Sequence, residues 1–417
     1  MKIFINIVLA LLLLAGTGYA QTLDDLQQQA LNNRKIVDRY MANLSISEED
    51  ETIARSRYYP AFDLSYTVNR LDDNGIFENR ENSVAYAALS WNLFAGFRDK
   101  YTIQSAELLR SAESYKLQGI KQDIQRNVAL RYLSIYDRKA NLQVAEDLHN
   151  TLKKTYEDAE TRFKVGLIQK NDLLKVKVDL DFAVIVLKRA QADLGKSVQL
   201  LEREIDADVQ LEQLTFTEFD QLPLLEDQEH YEKAMLEKRS EIRVLQELAQ
   251  AVDAQAKAER ARYAPSVDFI GSYRKYDDDF ISGLGNNYDE EVRGQVVLSI
   301  NIFDGFAKSS QVGKAKLEAQ GVRYDLAELE NDLKTDLKNL FLDFKVSSDN
   351  AAVALDNISQ AEENLRVTRL SYQEGLATGT DLLDAITNQS RAYFTYVTAT
   401  SEVFANYYNI TRTVEGF

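Results

Sequence analysis

The 417-residue sequence contains no cysteine. That absence removes disulfides, thiolate catalysis, cysteine-ligated zinc and acylation of an N-terminal cysteine together. Prolines number three, Pro60, Pro223 and Pro265, so long helices can run unbroken. Histidine is nearly absent as well: His149 and His230 both sit in charge-rich sequence of helical character, and there is no glycine-rich phosphate loop or nucleophile elbow. No enzyme, metal site or cofactor is expected. Positive charge is also scarce. Against 66 acidic residues there are 49 Lys and Arg, a net −17, and the basic residues are scattered; nucleic acid, which attracts clustered Lys and Arg, is not an expected partner. Beyond residue 20 no uninterrupted apolar run exceeds six residues, far short of the roughly 20 that a membrane-spanning helix takes. A membrane role would therefore fall to β-strands.

What is present begins with residues 1–20, which have the plan of a secretory signal: Lys2, an apolar stretch from Ile7 to Ala15, and the small-residue site Gly18, Tyr19, Ala20. The mature chain is expected to begin at Gln21. Aromatic usage is uneven, with 22 Tyr and 18 Phe against one Trp.

The chain is written twice. Residues 54–70, ARSRYYPAFDLSYTVNR, resemble 259–275, ERARYAPSVDFIGSYRK, at an offset of 205 that sets Pro60 on Pro265. Asn92 to Phe97, NLFAGF, match Asn301 to Phe306, NIFDGF, at an offset of 209, and Phe163, Gly166 and Asp172 fall on Tyr372, Gly375 and Asp381 at the same offset. Ordered anchors in near-constant register define a duplicated plan. The expected division is a first repeat over 21–205, an acidic linker over 206–229 marked by Pro223, and a second repeat over 230–417.

From Phe97 to about Arg162 apolar residues recur every three or four positions, among them Ile103, Ala112, Ile124, Val128, Ile135, Leu148 and Leu152. About 65 residues at 1.5 Å each reach on the order of 100 Å. Phe306 to Glu374 has the same character, and a glycine turn and further helix follow each, at 172–205 and 381–412. Each repeat thus holds a helical hairpin, at about 97–205 and 306–412. Helices this long must bury their stripes against neighbours, as in a coiled coil.

The segments before these helices alternate with period two, less regularly in the middle two of the four, which predicts strands at 61–70 and 83–93 and at 266–276 and 291–303. The second of these changes phase near Ala87 to Leu89, the mark of a bulge. Ten residues is the length of a tilted transmembrane strand. Tyr58, Tyr59, Trp91, Phe94 and Phe97, with Tyr263, Phe303 and Phe306, stand at strand ends where an aromatic girdle meets the bilayer interface. The polar loops 71–82 and 277–290 would face outward, and the acids of the second fit no calcium-loop spacing.

Four strands cannot close in lipid without leaving backbone groups unsatisfied. Two chains would give eight strands and an interior filled by side chains, whereas three would give twelve and a lumen. The rival is a non-channel periplasmic coiled-coil adaptor, which would carry one hairpin rather than two.

The pieces ARSRYYPAFDLSYT, LSWNLFAGF with LSINIFDGF, RFKVGLIQKNDLLK and SYQEGLATGTDLLDAITNQSRAYFTYVTATSEVFANY together resemble the TolC-like outer-membrane efflux proteins over essentially the whole mature sequence. The resemblance implies a mainly α fold with a membrane β-barrel: a homotrimer whose twelve-stranded barrel in outer-membrane lipid continues into a twelve-helix periplasmic α-barrel. It implies a passive exit duct for efflux or type I secretion, joined to an inner-membrane transporter through a periplasmic adaptor. By the match, Asp381 and Asp384 would form inward acidic rings at the periplasmic entrance, and Asp172 would accept a hydrogen bond from Tyr372 that holds it shut. The turns Val165, Gly166, Leu167 and Ile168, with Gly375 and Leu376, would meet adaptor hairpins. Ala377 stands where the best-known members carry a latching arginine, so that latch is absent.

Overall fold

The structure, a computed structural model, describes residues 21–74, 79–281, 283 and 288–417. The expected signal segment 1–20 and parts of the loops 71–82 and 277–290 lie outside the described residues. In chain order the elements are α1 (Leu23–Asn33), α2 (Lys35–Ser56), β1 (Ala61–Arg70), β2 (Glu81–Ala95), α3 (Arg98–Lys164) and α4 (Lys170–Ile205). Short 3-10 turns at Leu211–Gln213 and Thr217–Phe219 lead to α5 (Gln228–Lys238), α6 (Ser240–Ala261), β3 (Ser266–Asp277), β4 (Tyr288–Ser299), α7 (Ala307–Gln373) and α8 (Gly379–Thr413). Two compact units result: a strand unit, Arg39–Leu117 with Ser240–Glu330, and a helical unit of the described residues up to Asp38, Gln118–Arg239 and Asn331–Phe417.

In the strand unit an antiparallel sheet runs in the order β1-β2-β3-β4. Both hairpins keep one register: Ala61 pairs with Ser90 and Ser266 with Ser299, positions related by the offsets 205 and 209. Side chains opposite one another in an antiparallel ladder share a face, so the register sorts the whole sheet. One face collects Phe62, Leu64, Tyr66 and Val68, then Ala85, Ala87, Leu89 and Trp91, then Phe269 and Tyr273, then Val292, Val296 and Leu298. The other is mainly polar, with Asp63, Ser65, Thr67, Ser90, Asn92, Asp268, Ser272, Arg274, Glu291, Arg293 and Gln295 beside Val84, Tyr86, Ile270 and Val297. Near the loops the apolar face gives way to Lys275 and Glu290, paired at 3.8 Å. On the polar face Arg274 lies 5.7 Å from the ring centroid of Tyr86, directly across the ladder.

Two expectations about the strands need correction. The register shift falls between Asn92 and Phe94 rather than at Ala87 to Leu89, because the alanines there fit either face and carry no phase. β4 ends at Ser299, short of residue 303. Its matching stretch in β2 continues to Ala95 because β3 pairs with it, whereas residues 300–303 border no strand within the chain.

Each strand pair hands over to its long helix through the same turn. Gly96 and Phe97 have φ of 66° and 69°, Gly305 and Phe306 67° and 70°. The phenylalanines carry a left-handed cost of about 1–2 kcal/mol. An edge-on ring contact, Phe94 with Phe97 at 5.3 Å and Phe303 with Phe306 at 5.4 Å, offsets about 0.5–1.5 kcal/mol of it. A Cβ at Gly96 would lie 2.5 Å from the Ala261 carbonyl oxygen and from the Ala264 Cβ; only glycine permits the α6 terminus to pack there. Alanines at 249, 251, 254, 256, 258 and 261 are buried along α6, and Ser105 of α3 donates to the Ala251 carbonyl at 3.0 Å.

In the helical unit the hairpins α3–α4 and α7–α8 pack into one core near their turns, with Leu148, Leu152, Val176, Leu180, Leu365, Leu382 and Ile386 at its centre. The segment expected as a linker is itself packed. Phe216 and Phe219 stack on Tyr132 and Tyr136, Phe219 meets Phe404 edge-on at 4.8 Å, and Leu214 bridges Gln21. The C-terminus is pinned by Arg412, fully buried, which reaches Asp123 at 2.7 Å, Glu415 at 2.8 Å and the Gly119 carbonyl at 3.3 Å.

Candidate functional site

The turns of the two helical hairpins gather every site residue that the sequence singles out. α3 ends in a left-handed Gly166 with φ of 77°, and α7 ends in Gly375 with φ of 74°. At each, the glycine N–H donates three residues back, Gly166 to Phe163 and Gly375 to Tyr372, and the next residue donates five back, Leu167 to Arg162 at 2.9 Å and Leu376 to Ser371 at 2.8 Å. This is the paired-bond helix stop that needs a residue free to adopt positive φ. A leucine in that following position ordinarily packs back on its own helix. Here Leu167 is 72% exposed and Leu376 83%, and Val165 is exposed beside them, whereas Ile168 packs partly into the core. Both turns thus present apolar side chains outward, a surface that water disfavours unless a partner covers it.

The acidic residues have different fates. Thr378 caps α8. Its hydroxyl accepts from the Asp381 N–H at 3.2 Å, and the Asp381 carboxylate accepts from the Thr378 N–H at 2.8 Å and the hydroxyl at 2.7 Å. Those hydrogen bonds hold the Asp381 carboxyl below its ordinary range. Asp381 is therefore ionised, and one of its oxygens is committed to the helix start. Its counterpart Asp172 follows Gln169, which makes no side-chain cap, so no such box forms there.

Asp384 is exposed one turn further along α8. It lines a groove of about 330 Å³ with Asn171, Leu174, Lys175, Val178, Asp179 and Thr380. Lys175 donates to the Thr380 hydroxyl at 3.3 Å across the two helices. Asp179, a member of the site that the sequence reading lacks, stands seven residues after Asp172, two turns on along one helix face. Burial, and then the charge of Asp384, pushes its carboxyl up.

Tyr372 and Asp172 are brought near one another, yet among the described residues no hydrogen bond joins them. The Tyr372 ring instead lies beneath Arg162, whose guanidinium carbon is 4.9 Å from the ring centroid. Burial raises the phenol pKa and the Arg162 charge offsets part of that rise. Arg162 lies in the RFKVG stretch, where no local pattern marks its contact, which depends on how α3 and α7 pack.

Among the described residues there is no cluster of His, Asp and Glu able to hold a metal ion, and no helix is long and apolar enough to cross a membrane. The sheet offers the remaining membrane-compatible surface: its apolar face carries exposed Phe62, Leu64, Val292, Val296 and Leu298.

Comparison with known proteins agrees with this geometry. The sequence model described as outer membrane efflux protein matches residues 26–203 and 233–413. The outer membrane efflux protein BepC of Brucella suis biovar 1 (strain 1330) is 20% identical over 386 residues, covering 91% of this chain and 83% of BepC. Among solved structures, the outer membrane protein VceC from Vibrio cholerae superposes with a TM-score of 0.79 at 15% identity over 94% of this chain and 96% of VceC. The Neisseria gonorrhoeae MtrE outer membrane channel, in its open state, gives 0.78 at 17% identity over 94% of this chain and 89% of MtrE.

Proposed function

Because the chain belongs to the outer membrane efflux protein family, we propose that three copies pool their sheets into one twelve-stranded barrel in the outer membrane while their helical hairpins wall a periplasmic duct. The observation that carries this reading is the sheet itself: four strands, one face apolar and the other mainly polar, with β1 and β4 left as open edges. In hydrocarbon an open edge leaves backbone groups unsatisfied at several kcal/mol each, so the sheet must be continued by another copy. Two copies make an eight-stranded barrel that its own side chains fill; three leave a lumen lined by the polar face. Exposed Leu174, Val178, Phe182 and Ile185, spaced along one side of α4, and Val346 and Val353 on α7 equally favour helix neighbours from further copies.

Transport in this reading is passive. The outward apolar turns at Val165, Leu167 and Leu376 fit the hairpin of a periplasmic adaptor, which links the duct to an inner-membrane transporter that supplies energy. Asp384 and Asp179, with ionised Asp381, make the entrance negative and so favour cations. The alternative of a non-channel coiled-coil adaptor gives way to the family match and to the two-faced sheet. Fractionation with planar-bilayer recording tests the assignment. The protein should be released from outer membranes only by detergent and should then open conducting pores; recovery in the soluble periplasmic pool would overturn it. Gly375→Asp should reduce crosslinking to the adaptor while oligomers still form, and undiminished crosslinking would reject the turn as the docking point.

A further inference from the structure

Resting on the shared-barrel reading, we infer that the β4 edge of one copy pairs with the β1 edge of the next in the register that β2 and β3 keep inside the chain, with Asn301 of the first copy donating to Asp63 of the second. The β2–β3 ladder is the place where the first repeat meets the second. There Asn92 pairs with Asp268, and its Nδ2 donates to the Asp268 Oδ1 at 2.6 Å. The offsets 209 and 205 that relate the two hairpins carry Asn92 onto Asn301 and Asp268 onto Asp63, so both residue types are kept. Both lie exposed, and among the described residues neither side chain has a hydrogen-bond partner.

Four independent features mark the same unfilled junction. β4 stops at Ser299 although its counterpart β2, held by β3, runs on to Ala95. Gly96 is covered by Ala261 and Ala264, whereas a Cβ at Gly305 would meet nothing within 4 Å. Ala251 and Ala258 are buried on α6, yet Ile46 and Ile53, which stand at the matching places on α2, are 61% and 65% exposed. On α7 Leu317 and Tyr324 are exposed where their counterparts Leu108 and Tyr115 are half-buried. Each of these sites, covered within the chain at one end of the repeat, is bare at the other, and at positions 46 and 53 isoleucine stands where the covered counterpart is alanine. A second copy, presenting its first repeat to this copy's second, is the occupant that supplies the missing surface.

The carried-over register passes a test that it was not chosen to meet. It sets Val296, Leu298 and Ile300 opposite Val68, Tyr66 and Leu64, apolar against apolar, and Val297, Ser299 and Asn301 opposite Thr67, Ser65 and Asp63 on the polar face. A slip of one residue would set Val296, Leu298 and Ile300 against the polar residues Thr67, Ser65 and Asp63 or their neighbours on that face. In a ring of three copies, Asn–Asp pairs within chains alternate with identical pairs between chains, all on the polar face, and residues 300–303 become strand.

The absence of native cysteine makes the register measurable. Asn301→Cys is combined in turn with Ala61→Cys, Asp63→Cys, Ser65→Cys and Thr67→Cys, oxidised in detergent, and run without reductant. Directly opposed residues fall within the about 4.4–6.8 Å Cα separation that a disulfide accepts, so covalent multi-chain species should peak at position 63. A maximum at 61, 65 or 67 overturns the register. The native mass of the same samples separates the two ideas: trimers that link at no position contradict this pairing alone, whereas monomers contradict the shared barrel. Asn301→Asp, which sets its carboxylate against that of Asp63, should lower the temperature at which the oligomer dissociates, and adding Asp63→Asn should restore it. No loss with Asn301→Asp, or a loss that the swap leaves unrepaired, counts against the pair.

Discussion

The Arg162 guanidinium lies 4.9 Å from the centroid of the Tyr372 ring, so the last turn of α3 is tied to the last turn of α7. The sequence resemblance expected this tyrosine to be held by Asp172 and left Ala377 where a latching arginine would stand. In this chain a positive charge from α3 lies over that ring. A cation–π contact of this partly buried kind contributes about 1 kcal/mol. Arg162→Ala should therefore raise the open-to-closed ratio about fivefold, read as open probability in planar bilayers. Arg162→Lys should retain part of the closed state, and an unchanged open probability in Arg162→Ala would remove the contact from the closing mechanism.

The capping box gives the acidic residues separable effects. Thr378→Ala should cost about 1 kcal/mol at the start of α8, seen as faster hydrogen exchange in its first turn. Asp381→Ala with Asp384→Ala should weaken cation preference in reversal-potential measurements. Because the folded Asp381 carboxyl is lowered by Thr378, its support of the helix is present above the ordinary carboxylate range and lost as pH falls through the lowered value. Unchanged selectivity in the double variant would reject the acidic constriction.

Asp179 runs the other way. Its carboxyl is raised by burial and by Asp384, so the folded state binds that proton more tightly than the unfolded chain. Stability from this group is complete below the ordinary carboxylate range and is lost as pH rises through the raised value. Asp179→Asn should raise the thermal transition at pH 7, and the gain should shrink towards pH 4. A gain independent of pH would show that packing, not charge, is responsible.

Arg412 makes a strong structural prediction. Its removal takes the guanidinium partner from Asp123, whose side chain is 37% exposed, and from the buried side chain of Glu415, and losing one partner of such a charge-assisted contact costs about 1–3 kcal/mol. Arg412→Ala should lower the denaturant midpoint of the helical unit accordingly. A midpoint within error of the parent would mean that solvent reaches this cluster.

How far the sequence foretold this architecture differs from element to element. The offsets 205 and 209, legible in Pro60 with Pro265 and Asn92 with Asn301, reappear in the common hairpin register, because ladder pairing transmits any periodic sequence match into space. The bulge was misplaced because Ala85, Ala87 and Ala88 are too small to declare a face. The end of β4 was overshot because Ile300 and Ile302 keep the alternation while the strand that would hold them is absent from the chain. Thr378 and Asp381 have capping-box spacing and were readable; Arg162 over Tyr372 was not, since it joins residues 210 apart through packing that no local pattern encodes.

The central claim, that one chain's sheet is too small to seal itself in lipid and is completed by its copies, is tested most directly by native mass spectrometry of the protein extracted from outer membranes in detergent. A single species with the mass of three chains is the predicted result. A stable monomer that persists when detergent is withdrawn would contradict it.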